Sequence, residues 1–235
     1  MSSEKPIILM SGGSFNPPTK AHIQLLRHAV QELDADKGIL VPSSDDYVSK
    51  KIRRHNLVPL IGFDQRLAIL EGYIRQWQVS DKLAVSAIER DEHRYGNTYR
   101  SLCKLKEQYP DHEIVFLAGD DRLPVLAKWG NIESLLKDFR IAVLTRTGQQ
   151  DIKNIPLLCR YEQQFLFINN QPGDLSNISS SGFWQAFRRK SDSVFDHVTW
   201  QAASAAAAAV TAKTNRPCQD YAEWQKSPLT WNDVL

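Results

Sequence analysis

Short apolar runs alternate along the chain with longer stretches of helical periodicity. Pro6-Ile-Ile-Leu-Met10 ends at Ser11-Gly12-Gly13, which predicts a buried strand followed by a turn. From His22 to Leu33, the residues Leu25, Leu26, Ala29, Val30 and Leu33 recur at helical spacing. Gly38-Ile-Leu-Val41 predicts a second buried strand, stopped by Pro42. Phe63 to Trp77 places Leu67, Leu70, Ile74 and Trp77 on one helical face. Leu83–Ile88, Glu113–Ala118, Arg140–Thr145 and Phe165–Ile168 predict four more strands. Thr98–Gln108, closed by Pro110, and Ile132–Leu136 predict helices between them.

This alternation predicts an α/β protein, a Rossmann-like, doubly wound and mainly parallel sheet with helices on both faces. In such folds ligands sit outside the carboxyl ends of the strands. That rule nominates Ser11–Phe15, Pro42–Lys51, Gly119–Asp121 and Arg146. No internal repeat is visible. From about Thr199 the texture changes to an Ala-rich helix, Ala202–Ala212, and then a polar tail, 214–235. The expected organisation is one catalytic-type domain, 1–198, with 199–235 packed on it and Trp224 and Trp231 used in that packing.

Composition narrows the function classes. Twenty-nine Lys and Arg against 27 Asp and Glu give a net charge of +2, too small for a nucleic-acid or membrane footprint. The longest apolar stretch, Ala205–Val210, is too short to span a bilayer, and the polar Met1–Lys5 gives no signal peptide. Cys103, Cys159 and Cys218 are odd in number and far apart, with neither metal spacing nor a disulfide framework. The expectation is a soluble cytoplasmic protein with no metal held by the chain itself.

Ser11-Gly12-Gly13-Ser14-Phe15-Asn16-Pro17-Pro18-Thr19-Lys20-Ala21-His22 is the most informative segment. It joins a predicted strand to a predicted helix. Its glycines allow backbone N–H groups to approach a ligand, and the helix start favours phosphate. It is neither a Walker A loop nor Gly-x-Gly-x-x-Gly. On these grounds alone a tight turn with a helix-capping Thr19 explains it equally well.

The segment resembles the nucleotide-binding motif of the nicotinamide and nicotinate mononucleotide adenylyltransferases, a family of the HxGH nucleotidyltransferase superfamily. Thr19 stands at the first His position and His22 at the second, which in that family holds ATP phosphates. Four further stretches follow in the family's order, so the likeness spans roughly Pro6 to Lys190. Ala87-Ile88-Glu89 with Asn97-Thr98-Tyr99 resembles the segment reaching the nicotinamide side. Gly119-Asp120-Asp121 followed by Lys128-Trp129 resembles its ribose- and pyridine-contacting stretch. Leu144–Gly148, with Arg146, resembles its Thr-Arg-x-Gly turn, and Ile178-Ser179-Ser180-Ser181 resembles its triphosphate motif. The family also implies an ATP-binding Lys near Asp45–Lys51, in what reads as a loop after a strand. Register leaves Lys50 and Lys51 both open. Trp129 is open between ring stacking and packing.

The resemblance implies adenylyl transfer from ATP, with Mg²⁺, to a pyridine mononucleotide, releasing pyrophosphate, with a homo-oligomer left open. A phosphate monoester has a second pKa of about 6, so the nucleophile is already ionised at neutral pH and needs no general base. The enzyme must align two anions and neutralise the leaving group. His22 with Lys50 or Lys51 would carry the catalytic charge. Ser11, Gly12, Gly13, Ser14, Phe15, Thr19, Thr98, Gly119, Asp121, Trp129, Arg146, Ser179 and Ser180 would bind the nucleotides.

The likeness departs at Trp184 and Gln185, which occupy two Arg positions after the serines. An indole cannot make a charge-assisted bond to phosphate. Arg188, one turn beyond Trp184, is the expected substitute. Losing one such bond at about 1.5–3 kcal/mol slows turnover roughly 10- to 100-fold. Two other readings therefore stand beside the first: transfer to another phosphorylated acceptor, and a non-catalytic nucleotide-binding relative.

Overall fold

The computed structural model describes residues 5–55, 58–92, 97–145, 152–169, 175, 178–212, 214 and 217–229. Six strands form one sheet: β1 (Ile7–Gly13), β2 (Lys37–Pro42), β3 (Leu83–Val85), β4 (Glu113–Gly119), β5 (Arg140–Leu144) and β6 (Phe165–Ile168). Their order is β3-β2-β1-β4-β5-β6 and every pairing is parallel. Such strands must be apolar on both faces, which is why they read as continuous runs rather than alternations.

Helices fill the crossovers: α1 (Lys20–Glu32), α2 (Asp45–His55), α3 (Phe63–Gln76), α4 (Thr98–Gln108), α5 (Leu123–Leu126), α6 (Ile132–Asp138), α7 (Pro156–Cys159), α8 (Ser180–Arg188), α9 (Val194–His197), α10 (Trp200–Thr211) and α11 (Tyr221–Lys226). One core pools Leu9, Leu40, Val115 and Ala142 of the sheet with α1, α3, α8, α10 and α11. The other pools Ile8, Met10, Ile39, Phe116 and Val143 with α4, α5 and α6. The doubly wound expectation is met. Gly38 shows how closely α1 lies on the sheet, since a Cβ there would sit 2.8 Å from Leu26 Cγ and 2.9 Å from Leu83 Cδ2.

Four local expectations are corrected. The first strand does not stop at Met10 but carries Ser11, Gly12 and Gly13 in its ladder with β2. The third strand ends at Val85, because the chain turns back through Arg90 N–H bonded to the Ala87 carbonyl at 3.0 Å. Asp45–Lys51 is not a loop but the start of α2; the Ser44 hydroxyl accepts the Tyr47 N–H at 3.3 Å, and Asp45 and Asp46 lie in the favourable first turn. The buried face of α3 is Phe63, Arg66, Ile69, Leu70, Tyr73 and Ile74, with Leu67 and Trp77 only half-buried. An arginine inside that face conceals the stripe from a hydrophobicity reading.

The polar tail also holds α11, whose Tyr221 and Trp224 are fully buried in the first core. Trp231 lies outside the described residues.

Candidate active site

The sheet order reverses between β1 and β4, the switch point at which α/β folds bind ligands. The ladder between these strands stops at Met10–Phe116, while β1 continues to Gly13 and β4 to Gly119. Beyond that point Ser11–Gly13 stay paired with β2 and Leu117–Gly119 with β5, but not with one another, which opens the switch-point crevice between the two strand ends.

The loop leaving β1 is held from every side. Phe15 adopts φ 44°, the left-handed region that a bulky residue enters only when its surroundings require it. Its buried ring folds back over Gly13 and meets the His22 ring edge-on, centroids 4.8 Å apart. The Asn16 side chain accepts the Ile61 N–H at 2.8 Å and donates to the Pro59 carbonyl at 2.9 Å. Thr19, fully buried, caps α1. Its backbone N–H donates to His22 Nδ1 at 2.8 Å, and its hydroxyl lies 2.8 Å from the same nitrogen. Because Nδ1 accepts, the ring proton sits on Nε2, which makes His22 a hydrogen-bond donor at the start of α1.

Arg66 is the hub beneath this loop, and sequence reasoning missed it. Its guanidinium is inaccessible to solvent and donates to the carbonyls of Ser14 (2.8 Å), Ser43 (2.7 Å) and Ile61 (2.9 Å) and to Asp45 Oδ1 (2.8 Å). Asp45 Oδ2 in turn accepts the Phe63 N–H at 3.0 Å. One planar fork thus fixes the loops after β1 and β2 and the start of α3.

Of the two lysines on α2, Lys51 is joined to the β1 loop, its Nζ donating to Ser14 Oγ at 3.1 Å; Lys50 lies about 100° around the helix from it. Burial, and then the charge of Arg122, push the Lys51 ammonium below its ordinary range. Arg122 follows β4 in the 3₁₀ turn Asp120–Arg122, next to the β1 loop across the switch point, and pairs only loosely with Asp121 at 3.7 Å. Two like charges brought together at a strand-end crevice are what an anion site requires. Arg122 too was missed, because Gly-Asp-Asp drew attention to its acids.

On the other side of the crevice, Asp121 is exposed and folds back over Gly119, where a Cβ would lie 2.5 Å from its Oδ1. Asp120 is buried. Asn97 caps α4 by accepting the Arg100 N–H at 3.3 Å, and it accepts the Asn131 amide at 2.7 Å. That bond brings Thr98, the first residue of α4, beside the segment carrying Trp129. The half-buried Trp129 ring leans on Phe116 of β4, centroids 6.0 Å apart. Glu89 turns inward and accepts the Ser101 hydroxyl at 2.5 Å; burial holds its carboxyl above the usual range. Arg146, Thr147 and Gly148 lie outside the described residues.

The α8 segment departs most from expectation. Ser179 Oγ caps the helix by accepting the Gly182 N–H at 3.0 Å, and the Ser180 hydroxyl donates to the Pro17 carbonyl at 2.8 Å. Trp184 does not face the crevice: it is 4% exposed, packs on Phe183 and Phe187, and donates its indole N–H to the Asn16 carbonyl at 2.9 Å. Arg188 is exposed in the last turn of α8, about 12 Å along the axis from Ser180. Gln185 and Arg189 instead line an open cavity of about 390 Å³ along the helix flank, together with His197, whose ring packs against Gly182.

The sequence profile described as cytidylyltransferase-like matches residues 10–193. The chain belongs to the cytidylyltransferase-like family. Within it, a relative from Fusobacterium nucleatum named "Probable nicotinate-nucleotide adenylyltransferase" is 31% identical over 191 residues, covering 79% of this chain and 89% of that protein. A Mycoplasma pneumoniae relative named "Probable nicotinate-nucleotide adenylyltransferase/Ap4A hydrolase" is 31% identical over 140 residues. These cover 60% of this chain and 38% of that protein, so this chain spans little more than a third of it. The solved structure of Plasmodium falciparum nicotinic acid mononucleotide adenylyltransferase complexed with APC superposes with a TM-score of 0.65 at 21% identity. It covers 84% of this chain and 92% of that one, a likeness of fold. The cytidylyltransferase-like match ends close to α9, so α10 and α11 lie beyond it.

Proposed function

We propose that this chain transfers the adenylyl group of ATP to nicotinate mononucleotide, forming deamido-NAD and releasing pyrophosphate. The observation that carries the reading is the β1–α1 loop at the switch-point crevice, with His22 fixed as an Nε2–H donor and Lys51 drawn to Ser14. The names of the relatives favour nicotinate over nicotinamide as the acceptor base.

Each residue then has a task. The mononucleotide phosphate attacks the α-phosphorus in line, already ionised, so no side chain removes a proton. The loop backbone, His22 Nε2 and the first-turn amides of α1 and α8 receive the phosphates of ATP. Lys51 and Arg122 neutralise the charge that grows on the leaving pyrophosphate. Asp121 accepts from ribose hydroxyls at the mouth of the crevice, and Thr98 with Trp129 bounds the pyridine ring.

Among the described residues no three His, Cys, Asp or Glu side chains converge to hold a metal ion. Mg²⁺ therefore has no cage in the described chain; it would enter on the phosphates of ATP and supply charge neutralisation there. Among the described residues no helix is long and apolar enough to cross a membrane, and the three cysteines are free, in keeping with a reducing cytoplasmic setting.

The non-catalytic reading rests on Trp184 and Gln185 standing at two arginine positions. Against it, Trp184 is buried against the β1–α1 loop, and Lys51 beside Ser14, with Arg122 acting on its charge, supplies cations by another route. The test is an assay of purified protein with ATP, Mg²⁺ and each mononucleotide, reading dinucleotide and pyrophosphate together. Deamido-NAD from nicotinate mononucleotide, reduced about 100-fold or more in His22→Ala, is expected. Pyrophosphate release with neither mononucleotide overturns the reading.

A further inference from the structure

We propose that Trp184 is a positioning residue that sets the distance between the two phosphate-receiving helix starts, those of α1 and α8. The inference rests on the adenylyl-transfer reading for its ligand and on the hydrogen bonds of α8 for its geometry. Ser180 and Trp184, one turn apart on the same face of α8, grip consecutive carbonyls of the β1–α1 loop. Ser180 Oγ holds Pro17 at 2.8 Å and Trp184 Nε1 holds Asn16 at 2.9 Å. A further contact ties α1 to the helix that follows α8, Lys20 Nζ donating to the Phe195 carbonyl of α9 at 2.5 Å.

These bonds act against electrostatics. Each helix start carries about half a positive charge, and two such ends side by side repel one another. A polyanion bridging both starts relieves that repulsion, so the empty site needs a mechanical hold and a bound triphosphate gains from one already made. The indole suits the task because it has one donor, no acceptor and a large apolar body. Phe183, Phe187 and the loop enclose that body and leave the N–H a single direction. Asn16 is the shared node: its side chain ties the loop to Pro59 and Ile61, and its carbonyl ties it to α8.

The consequence is selective. A ligand that spans both helix starts, such as ATP, depends on the spacing that Trp184 sets. A mononucleotide, with one phosphate, does not. The experiment measures dissociation constants of ATP and of nicotinate mononucleotide by calorimetry for the wild type and Trp184→Phe, with thermal unfolding followed in parallel. Phenylalanine keeps most of the packing and removes the donor. About tenfold weaker ATP binding is expected from a carbonyl left without its partner. Mononucleotide binding should change less than about twofold.

Equal loss for both ligands marks a merely structural role and overturns the proposal, as does unchanged ATP binding. Should Trp184→Phe fail to fold, Ser180→Ala loosens the neighbouring grip and must give the same one-sided loss. The readout is affinity, so a wild type that binds both ligands without forming dinucleotide sinks the proposed reaction and leaves this inference to be decided by the two affinities. A wild type that does not bind ATP overturns both.

Discussion

The starts of α1 and α8 are each capped by a hydroxyl residue, Thr19 and Ser179, yet they turn their neighbouring side chains in opposite directions. At α1, Thr19 fixes the His22 ring so that its remaining N–H lies outward from the cap. At α8, Ser179 closes the cap while Ser180 and Trp184 are bonded to the neighbouring loop. The first start adds an imidazole donor to its backbone amides; at the second, Ser180 and Trp184 are turned to the scaffold. In the proposed reaction a polyphosphate held by both finds its remaining positive charge in Lys51 of α2 and Arg122 of the turn after β4. A serine-rich helix start is therefore not a fixed set of ligands, since the same residues can face the substrate or the scaffold.

The strongest way to break this contrast is to remove what supports it. Arg66→Ala leaves three loop carbonyls without their donor and is expected to cost about 3–5 kcal/mol, read by urea unfolding. A cost below about 1 kcal/mol would mean that the loop holds itself. Lys51→Met is expected to weaken ATP binding about 100-fold, as loss of a charge-assisted phosphate contact in a partly desolvated site. It should also raise the thermal midpoint, because it deletes a cation that burial and Arg122 disfavour.

The pH dependence of the wild type follows from the same shift. Lys51 is charged only below its pKa, which lies beneath the ordinary value of about 10.4, so ATP affinity should fall with rising pH before free lysine titrates. The smallest effect belongs to Arg122→Ala, about tenfold on ATP affinity with little change in thermal midpoint, since its side chain is 61% exposed. That variant should also move the alkaline fall in affinity to higher pH, by removing the like charge beside Lys51.

Most of the fold was legible because its strands are uninterrupted apolar runs bounded by polar or turn-forming residues. Glu113–Ala118, followed by Gly119-Asp120, and Phe165–Ile168, followed by Asn169, were readable for that reason. The β1–α1 loop was legible as a motif. Two classes of residue were not. Arg66 sits in the buried face of α3, where a hydrophobic pattern registers only a gap, and its value lies in three carbonyls that no sequence shows. Lys51 and Trp184 needed side-chain direction. One sits on a helix whose many charged residues disguised it as a loop, and the other was placed by position in a motif, whereas burial turned it towards Asn16.

The most direct test of the contrast between the two helix starts is a ¹⁵N NMR titration with ATP, following the His22 Nε2 and Trp184 Nε1 signals in one sample, each assigned by its substitution. A large shift of His22 Nε2, with the Trp184 indole signal holding its hydrogen-bonded position, is the predicted result. A shift of the indole with His22 unmoved would place the phosphates on α8 side chains and contradict it.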